Sequence, residues 1–301
     1  MVYNSLMEYE PMYSYDLLDW IDESGLDWDL LSYNTNAINL LEKNQEKINW
    51  DFLSENPYAI ELLEKNQEKI NWINLSGNAN AIELLEKNQE KIDWDFLSSN
   101  PNAIHLLEEN MEMVDKSWLS LNPNAIDLLE KYPEKIDWYY LSGNRNAIDL
   151  LERNLEKINW EYLSKNRNAI PLLEKNPEKI DWKWLSGNIN AIHLLEKNPS
   201  KIDWDWLSGN RNGIKLLEKN LSKIDWSCLS WEPSAIELLE KNREKIKLDW
   251  ISSNPAIFKR NLNYEFLTGR MNIIREELMM KCMHPSRLER WIEMGGDIDD
   301  F

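Results

Sequence analysis

The sequence predicts an all-α protein, an α-solenoid of about ten 22-residue repeats that each hold two short helices, with a cap segment at either end. The first observation is a period: Trp recurs every 22 residues, with one omission at Lys116, and Ala-Ile recurs on the same period. The second is that each unit carries its own helix start and stop signals. The third is that two short helices cannot bury their apolar faces alone, so successive units must stack.

The boundaries follow from where the period holds. Residues 1–26 lack it and are expected to cap the first repeat, whereas residues 27–257 form the array and end in a shortened eleventh unit, Asn254-Pro255-Ala256-Ile257. Residues 258–301 change to longer helix patterns, at 272–283 and 285–294, and are expected to form a C-terminal cap. Ten layers at helix-packing distances predict a curved rod about 80–100 Å long.

Repeat positions are counted here from Asp27, which is position 1 of repeat 1. Position 1 is Asp or Asn in all ten full units. Both side chains can cap a helix N-terminus, so a first helix is expected to start there and to carry the Trp-x-x-Leu-Ser of positions 2 to 6.

The second helix is expected after the Asn of position 8, which Pro often follows, because Asn before Pro is a helix start signal. Its Ala-Ile-x-Leu-Leu-Glu-Lys makes one apolar stripe. The Asn of position 18 is expected to end it in the left-handed conformation. The repeated Trp, Ala, Ile and Leu are expected to form the core, with Trp160 buried in the middle of the array.

A leucine-rich repeat is the alternative architecture, because its period can also be 22 and it favours Asn. It needs a β-strand in each unit. The segment available, Lys-Ile-Asp-Trp-Asp-Phe-Leu-Ser, has few β-branched residues and places Asp at inward positions, which favours the helical solenoid.

Charge and composition exclude several classes of partner. The net charge is −19, from 53 acidic and 34 basic residues, which opposes binding to nucleic acid or to anionic lipid. No run approaches 18 apolar residues, and the first ten residues hold neither Lys nor Arg, so neither a membrane span nor a secretory signal is expected. Two cysteines in 301 residues fit a reducing compartment, and a cytoplasmic location is expected.

No catalytic, cofactor or metal site is expected. His105 and His193 share a variable position of the second helix, four repeats apart, which is too far to share a metal. Cys228 stands where most units have an aromatic residue and is interpreted as a small packed residue. The Glu of position 16, which Lys follows in most units, has the same surroundings in each repeat. A pair of carboxyl groups that act as acid and base needs two different environments.

Two variable positions are candidates for binding a partner. Position 9 carries Arg145, Arg167 and Arg211 within four layers, and neighbouring Lys165, Lys183 and Lys215 extend this basic ridge, which could grip an acidic protein segment. Position 4 is usually aromatic, as in Trp184 and Trp206, but tolerates Asn and Cys. A half-exposed aromatic ladder is therefore expected, and Trp, Tyr and Arg dominate protein interfaces.

The unit Lys-Ile-Asp-Trp-x-x-Leu-Ser-x-Asn-Pro-Asn-Ala-Ile-x-Leu-Leu-Glu-Lys-Asn closely resembles a short repeat of proteins from giant viruses, the nucleocytoplasmic large DNA viruses. The tail from His284 to Phe301 is similar to an ending also found there. Lys116, Tyr132, Gly213 and Leu248 depart from the repeat's pattern. The resemblance implies origin and repeat class and assigns no functional residues.

The leading hypothesis is a non-catalytic, protein-binding scaffold that acts in the cytoplasm of the infected host cell. A structural component packaged in the virion is the alternative. An adaptor for a host enzyme such as a ubiquitin ligase is a third possibility, for which the tail is the only candidate docking motif.

Overall fold

The computed structural model describes residues 13–282 and Arg287. They belong to two compact units: one runs from Leu17 to Phe258, and the other combines the segment up to Asp16 with the segment from Lys259. The predicted all-α solenoid of two-helix, 22-residue repeats is confirmed. Residues 1–12 of the predicted N-terminal cap, and the predicted helix at 285–294 apart from Arg287, lie outside the described residues.

Each repeat begins with a short first helix, and the first helices take the odd numbers along the chain. These helices are α1 Trp28–Tyr33, α3 Trp50–Glu55, α5 Trp72–Gly77, α7 Trp94–Ser98, α9 Lys116–Leu121, α11 Trp138–Gly143, α13 Trp160–Lys165, α15 Trp182–Ser186, α17 Trp204–Ser208, α19 Trp226–Ser230 and α21 Leu248–Ile251. The predicted caps are confirmed: in all ten full repeats the Asp or Asn side chain of position 1 accepts a hydrogen bond from a first-turn N–H.

A second helix follows in ten repeats. These are α2 Ile38–Lys43, α4 Ile60–Glu64, α6 Ile82–Glu86, α8 Ile104–Glu109, α10 Ile126–Lys131, α12 Ile148–Glu152, α14 Ile170–Lys175, α16 Ile192–Lys197, α18 Ile214–Glu218 and α20 Ile236–Glu240. A single 3-10 turn leads from each second helix to the next repeat, as at Gln45–Lys47.

The second unit is built on a two-stranded sheet and one long helix. Strand β1, Tyr13–Leu17, pairs with β2, Phe258–Leu262, and helix α22 spans Tyr264–Cys282. The Arg260 guanidinium lies 3.5 Å from the centre of the Tyr13 ring, and Asn261 donates to Asp16. Because β1 precedes the first repeat and β2 follows the last one, this sheet joins the chain segments that enter and leave the array.

The core between the two helix layers consists of Leu and Ala. Leu31, Ala37, Leu41 and almost all their counterparts are fully buried. The prediction that Trp160 is buried in the core is wrong, because it is only partly buried, like the other Trp residues of position 2. These rings lie at the start of the first helix, where in six repeats a Lys ammonium covers a ring face at 4.3–4.9 Å.

A buried Ser at position 6 joins each repeat to the next one. The Ser32 hydroxyl donates to the carbonyl of Trp28 at 2.8 Å and accepts the N–H of Asn49, the first residue of the next repeat, at 3.0 Å. Only a hydroxyl can both donate and accept in so small a volume, which explains why Ser occupies this position in every repeat.

The Asn of position 8 forms a ladder through the array. The Asn144 amide donates to the Ser120 and Asn122 carbonyls of the preceding repeat, both at 2.9 Å, and its oxygen accepts the Asn146 N–H. This Asn therefore caps a tight turn, and the second helix starts three residues later than predicted. Position 18 also differs from its prediction: Asn44 has a φ of −133° and ends its helix by donating to the Leu40 carbonyl.

The ladder does not end at the last repeat, because the eleventh repeat binds the first. The Asp27 N–H donates to the Ser252 hydroxyl at 2.8 Å, and the Asn34 amide donates to the carbonyls of Ser252 and Asn254 at 2.9 and 3.0 Å. Asn36 donates to Pro255, as Asn80 does to Pro57. These are the same bonds that join successive repeats inside the array, so the array is a closed ring of eleven repeats, and the predicted rod is wrong.

The two helix layers lie at different radii in this ring. From repeat 1 to repeat 11 each first helix packs against the next one, whereas successive second helices come much less close to one another. Long side chains span the wider gaps between second helices, as in Lys131–Glu108 at 2.6 Å and Lys175–Glu152 at 3.6 Å. In a closed ring the layer with the shorter spacing has the smaller circumference, so the first helices form the inside.

Candidate protein-binding surface

The inner wall of the ring is formed by positions 3, 4 and 7 of the first helices. At 100° per residue these positions lie opposite positions 2, 5 and 6, which face the second helix and the core. Their side chains are exposed or partly exposed in nearly every repeat. The term inner wall is used below for these three positions.

Position 4 carries the aromatic side chains that were predicted to form a half-exposed ladder. The residues are Leu30, Phe52, Asn74, Phe96, Trp118, Tyr140, Tyr162, Trp184, Trp206, Cys228 and Trp250. The exposed fraction reaches 37% for Phe52, 41% for Trp118 and 50% for Trp250, and the remaining side chains are partly buried. The predicted half-exposure is therefore confirmed.

Rings from successive repeats contact one another along the wall. The ring centres are 5.8 Å apart for Tyr140–Tyr162 and Tyr162–Trp184, and 4.6 Å apart for Trp184–Trp206. Phe96 and Trp118 stack at 5.8 Å in the preceding part of the ring. Four consecutive repeats thus present a continuous aromatic surface, with the geometry that favours aromatic pairs.

Small residues at position 7 make room for these rings. A Cβ at Gly143 would lie 2.5 Å from the Tyr162 ring, and one at Gly187 would lie 3.1 Å from the Trp206 ring. At Gly143 a side chain would force the ring of the next repeat to move, and at Gly187 the contact would be tight.

Three of the residues predicted from the sequence lie together on this surface. The Lys165 ammonium is 5.2 Å from the Trp184 ring centre and 5.5 Å from that of Tyr162, and Trp206 stacks on Trp184. The Trp184 indole N–H donates to Glu161 at 2.9 Å. Lys183 is exposed at position 3 of the same helix as Trp184.

The predicted arginines lie on a line at the C-terminal ends of the first helices. Asn168 donates to the Arg145 carbonyl, Asn190 to that of Arg167, and Asn212 to that of Ile189, all within 2.7–2.8 Å. These bonds stack the loops directly, so position 9 of successive repeats, including Arg211, is aligned. All three arginine side chains are exposed, and in the described part of the chain none forms an ion pair with a carboxylate.

The remaining titratable candidates have structural surroundings. His105 and His193 are exposed and bond Glu86 and Glu174 of the preceding repeats at 2.9 and 3.0 Å. Burial, together with Asp225 and Asp205, raises the pKa of the Cys228 thiol. Within residues 13–282, no group of His, Cys, Asp and Glu is arranged to hold a metal ion, and no described helix is long and apolar enough to cross a membrane.

Sequence reasoning missed that the aromatic ladder faces the inside of a closed ring. The signal for closure was the eleventh unit, which keeps Ser252 and Asn254 although Lys247 and Leu248 replace the usual cap residue and Trp. Comparison of the chain with protein-family models, with curated proteins and with solved structures found no match.

Proposed function

We propose that the ring is a non-catalytic scaffold that binds a protein partner through the aromatic surface of repeats 6 to 9. The observation that carries this proposal is the continuous contact of Tyr140, Tyr162, Trp184 and Trp206, whose partly exposed rings lie on the inner wall. A protein core would seal such rings, whereas protein interfaces use Trp and Tyr as anchors.

The rigidity of the surface also supports a binding role. Each first helix is fixed at both ends by the Ser and Asn bonds to its neighbours, and a surface that is already ordered loses little conformational entropy when a partner binds. The proposal includes a setting, an infected host cell, which is what a resemblance to giant-virus repeats implies.

The test is affinity capture from host-cell extract on the immobilised full chain. The variant Trp184→Asn/Trp206→Asn should lose the proteins that the wild type retains, because it interrupts the ladder with a residue that the same position accepts at Asn74. The matched control is Tyr132→Asn, which removes an aromatic side chain at position 18, where nine other repeats have Asn.

Circular dichroism should show unchanged helix content in both variants. If the Trp double variant retains the same proteins as the wild type, the aromatic surface is not the binding site. The variant Arg145→Glu/Arg167→Glu/Arg211→Glu, tested in parallel, should lose any partner that binds through an acidic segment at the arginine line. Binding of such a partner to the wild type should weaken as the salt concentration rises.

A further inference from the structure

The inner wall carries a net negative charge in addition to its aromatic ladder. Positions 3 and 7 hold seven carboxylates against two ammonium groups, Lys165 and Lys183. The carboxylates are Asp29, Asp51, Glu55, Asp95, Glu161, Asp205 and Asp249. A carboxylate at position 3 stabilises the N-terminus of its helix, and the ring then collects these local charges on one concave surface.

Lys165 shows how this wall accommodates a cation. Its ammonium lies beside both the Tyr162 and the Trp184 ring, at 5.5 and 5.2 Å from their centres, and Glu161 accepts a hydrogen bond from the Trp184 indole. Aromatic faces beside a carboxylate are the environment that proteins use to recognise ammonium and guanidinium groups. The same combination of rings and carboxylates recurs around the wall without an internal lysine, as at Asp95, Phe96 and Trp118.

Glu55 is a carboxylate that a cationic partner would stabilise. It is partly buried at position 7, where burial raises the pKa of its carboxyl. Within the described residues it forms no ion pair. An ammonium placed beside it would offset the cost of its desolvation.

The size of the ring limits the shape of what can enter. Eleven first helices spaced by about 8–10 Å have their axes on a circle about 28–35 Å across. Side chains reach about 5–6 Å inward from each axis, which leaves an opening of roughly 15–25 Å. That width admits one extended segment or a single helix, and not a folded domain.

We infer that the inner wall binds a Lys- and Arg-rich protein segment, whose cationic side chains lie against the aromatic ladder and pair with the surrounding carboxylates. This inference rests on the proposed scaffold function and names the chemistry of its partner. It differs from the acidic segment predicted for the arginine line, which lies at the ends of the first helices and is a separate surface.

The experiment measures binding of the full chain to a fluorescein-labelled oligolysine peptide, with a matched oligoglutamate peptide, by fluorescence anisotropy at physiological ionic strength. Oligolysine should bind and oligoglutamate should not bind to the wall. In the variant Asp95→Ser/Glu161→Ser/Asp205→Ser the affinity for oligolysine should fall about tenfold, because three exposed charge pairs are lost. Ser occupies the same position at Ser117 and Ser227, so the helices should persist.

The matched control has the same change of net charge on the outside of the ring. It is Glu61→Asn/Glu83→Asn/Glu237→Asn, at position 13, where repeat 1 has Asn39. Its affinity should change less than about twofold, since distant surface charges are screened. An equal loss in the wall and control variants would show that oligolysine responds only to the net charge, and would overturn the inference.

A third variant gives a result that loss of folding cannot imitate. Lys165→Ser removes the internal cation beside Tyr162 and Trp184, so oligolysine should bind more tightly, and weaker binding would contradict the inference. If wild type does not bind oligolysine while Trp184→Asn/Trp206→Asn still loses captured proteins, the inference fails and the proposed function stands. If oligolysine binds but capture is unaffected, the proposed function fails as stated.

Discussion

The joint that closes the ring and the joint between repeats 5 and 6 form the same hydrogen bonds from different sequences. Between repeats 5 and 6, the Asp137 N–H donates to the Ser120 hydroxyl, and the Asn144 amide donates to the carbonyls of Ser120 and Asn122. At the closing joint the corresponding acceptors belong to a repeat in which Lys247 and Leu248 replace the usual Asp and Trp, and whose second helix is missing. Ser252 and Asn254 are retained.

This comparison shows which residues a joint requires. The buried hydroxyl and the buried amide satisfy backbone groups that would otherwise lose their partners, at a cost of about 1–3 kcal/mol for each group. Trp at position 2 and the N-terminal cap contribute to a repeat but can be replaced. The two joints differ in one further respect, because neighbouring repeats inside the ring are also connected by the chain.

The largest expected effect comes from breaking the closing joint. Asn34→Ala/Ser252→Ala should cost about 3–5 kcal/mol and loosen the contact of repeats 1 and 11, because five backbone groups lose a side-chain partner. Hydrogen exchange should rise first at the two ends of the array.

The matched variant inside the ring is Ser120→Ala/Asn144→Ala. It should lose similar stability in denaturant, but its hydrogen exchange should rise first at repeats 5 and 6 and not at the two ends of the array. The same exchange pattern in the two double variants would show that repeats 1 and 11 are not joined in solution.

The next effect concerns two glycines at position 7 of the wall. Gly143→Ala places a Cβ 2.5 Å from the Tyr162 ring and should destabilise by about 1–3 kcal/mol through overpacking. Gly77→Ala meets Phe96 at 3.6 Å, an ordinary contact, and should stabilise by about 0.5–1 kcal/mol through helix propensity. Thermal unfolding would measure both, and shifts of the same sign would contradict the close packing of the ladder at repeat 7.

The smallest effect concerns a defect in the Asn ladder. Position 8 of repeat 10 is Glu232, which accepts the Ser234 N–H but leaves the Ser208 and Asn210 carbonyls without the amide donor found at every other joint. Glu232→Asn should therefore stabilise the ring by about 1–2 kcal/mol, the net value of two hydrogen bonds.

Chemical denaturation should show a higher midpoint with an unchanged slope for Glu232→Asn. Asn188→Glu, which creates the same defect at another joint, should lower the midpoint. A midpoint for Glu232→Asn at or below that of the wild type would mean that Glu232 is better accommodated than the ladder geometry indicates.

The parts of the fold that depend on neighbouring residues could be predicted from the sequence. The caps at Asp27 and Asn49, the buried Leu31 and Ala37, and the half-exposed ladder all follow from local spacing. The role of Asn144 could not, because one side chain joins two repeats and the expected cap is only part of its bonding. The partial burial of Trp160 could not be predicted either, because a repeated Trp is compatible both with the centre of a core and with its edge.

Ring closure is the feature that local sequence patterns predict least. It depends on a small rotation at each joint that accumulates over eleven repeats, and its contacts join residues 225 positions apart, such as Asp27 and Ser252. The candidate site has the same limitation. Trp184, Trp206 and Lys165 were found from their repeat positions, but the carboxylates that face them across the wall become one surface only when the array closes.

Closure also restricts how this protein can change its length. An open array can gain or lose a unit by recombination between similar repeats, since each unit contacts only its neighbours. In the closed ring each joint turns the chain by about 33°. After deletion of one unit, each of the ten remaining joints would have to turn it by about 36°. The number of repeats is therefore a property of the whole molecule, and single-unit duplications or deletions should be selected against even where each unit by itself is intact.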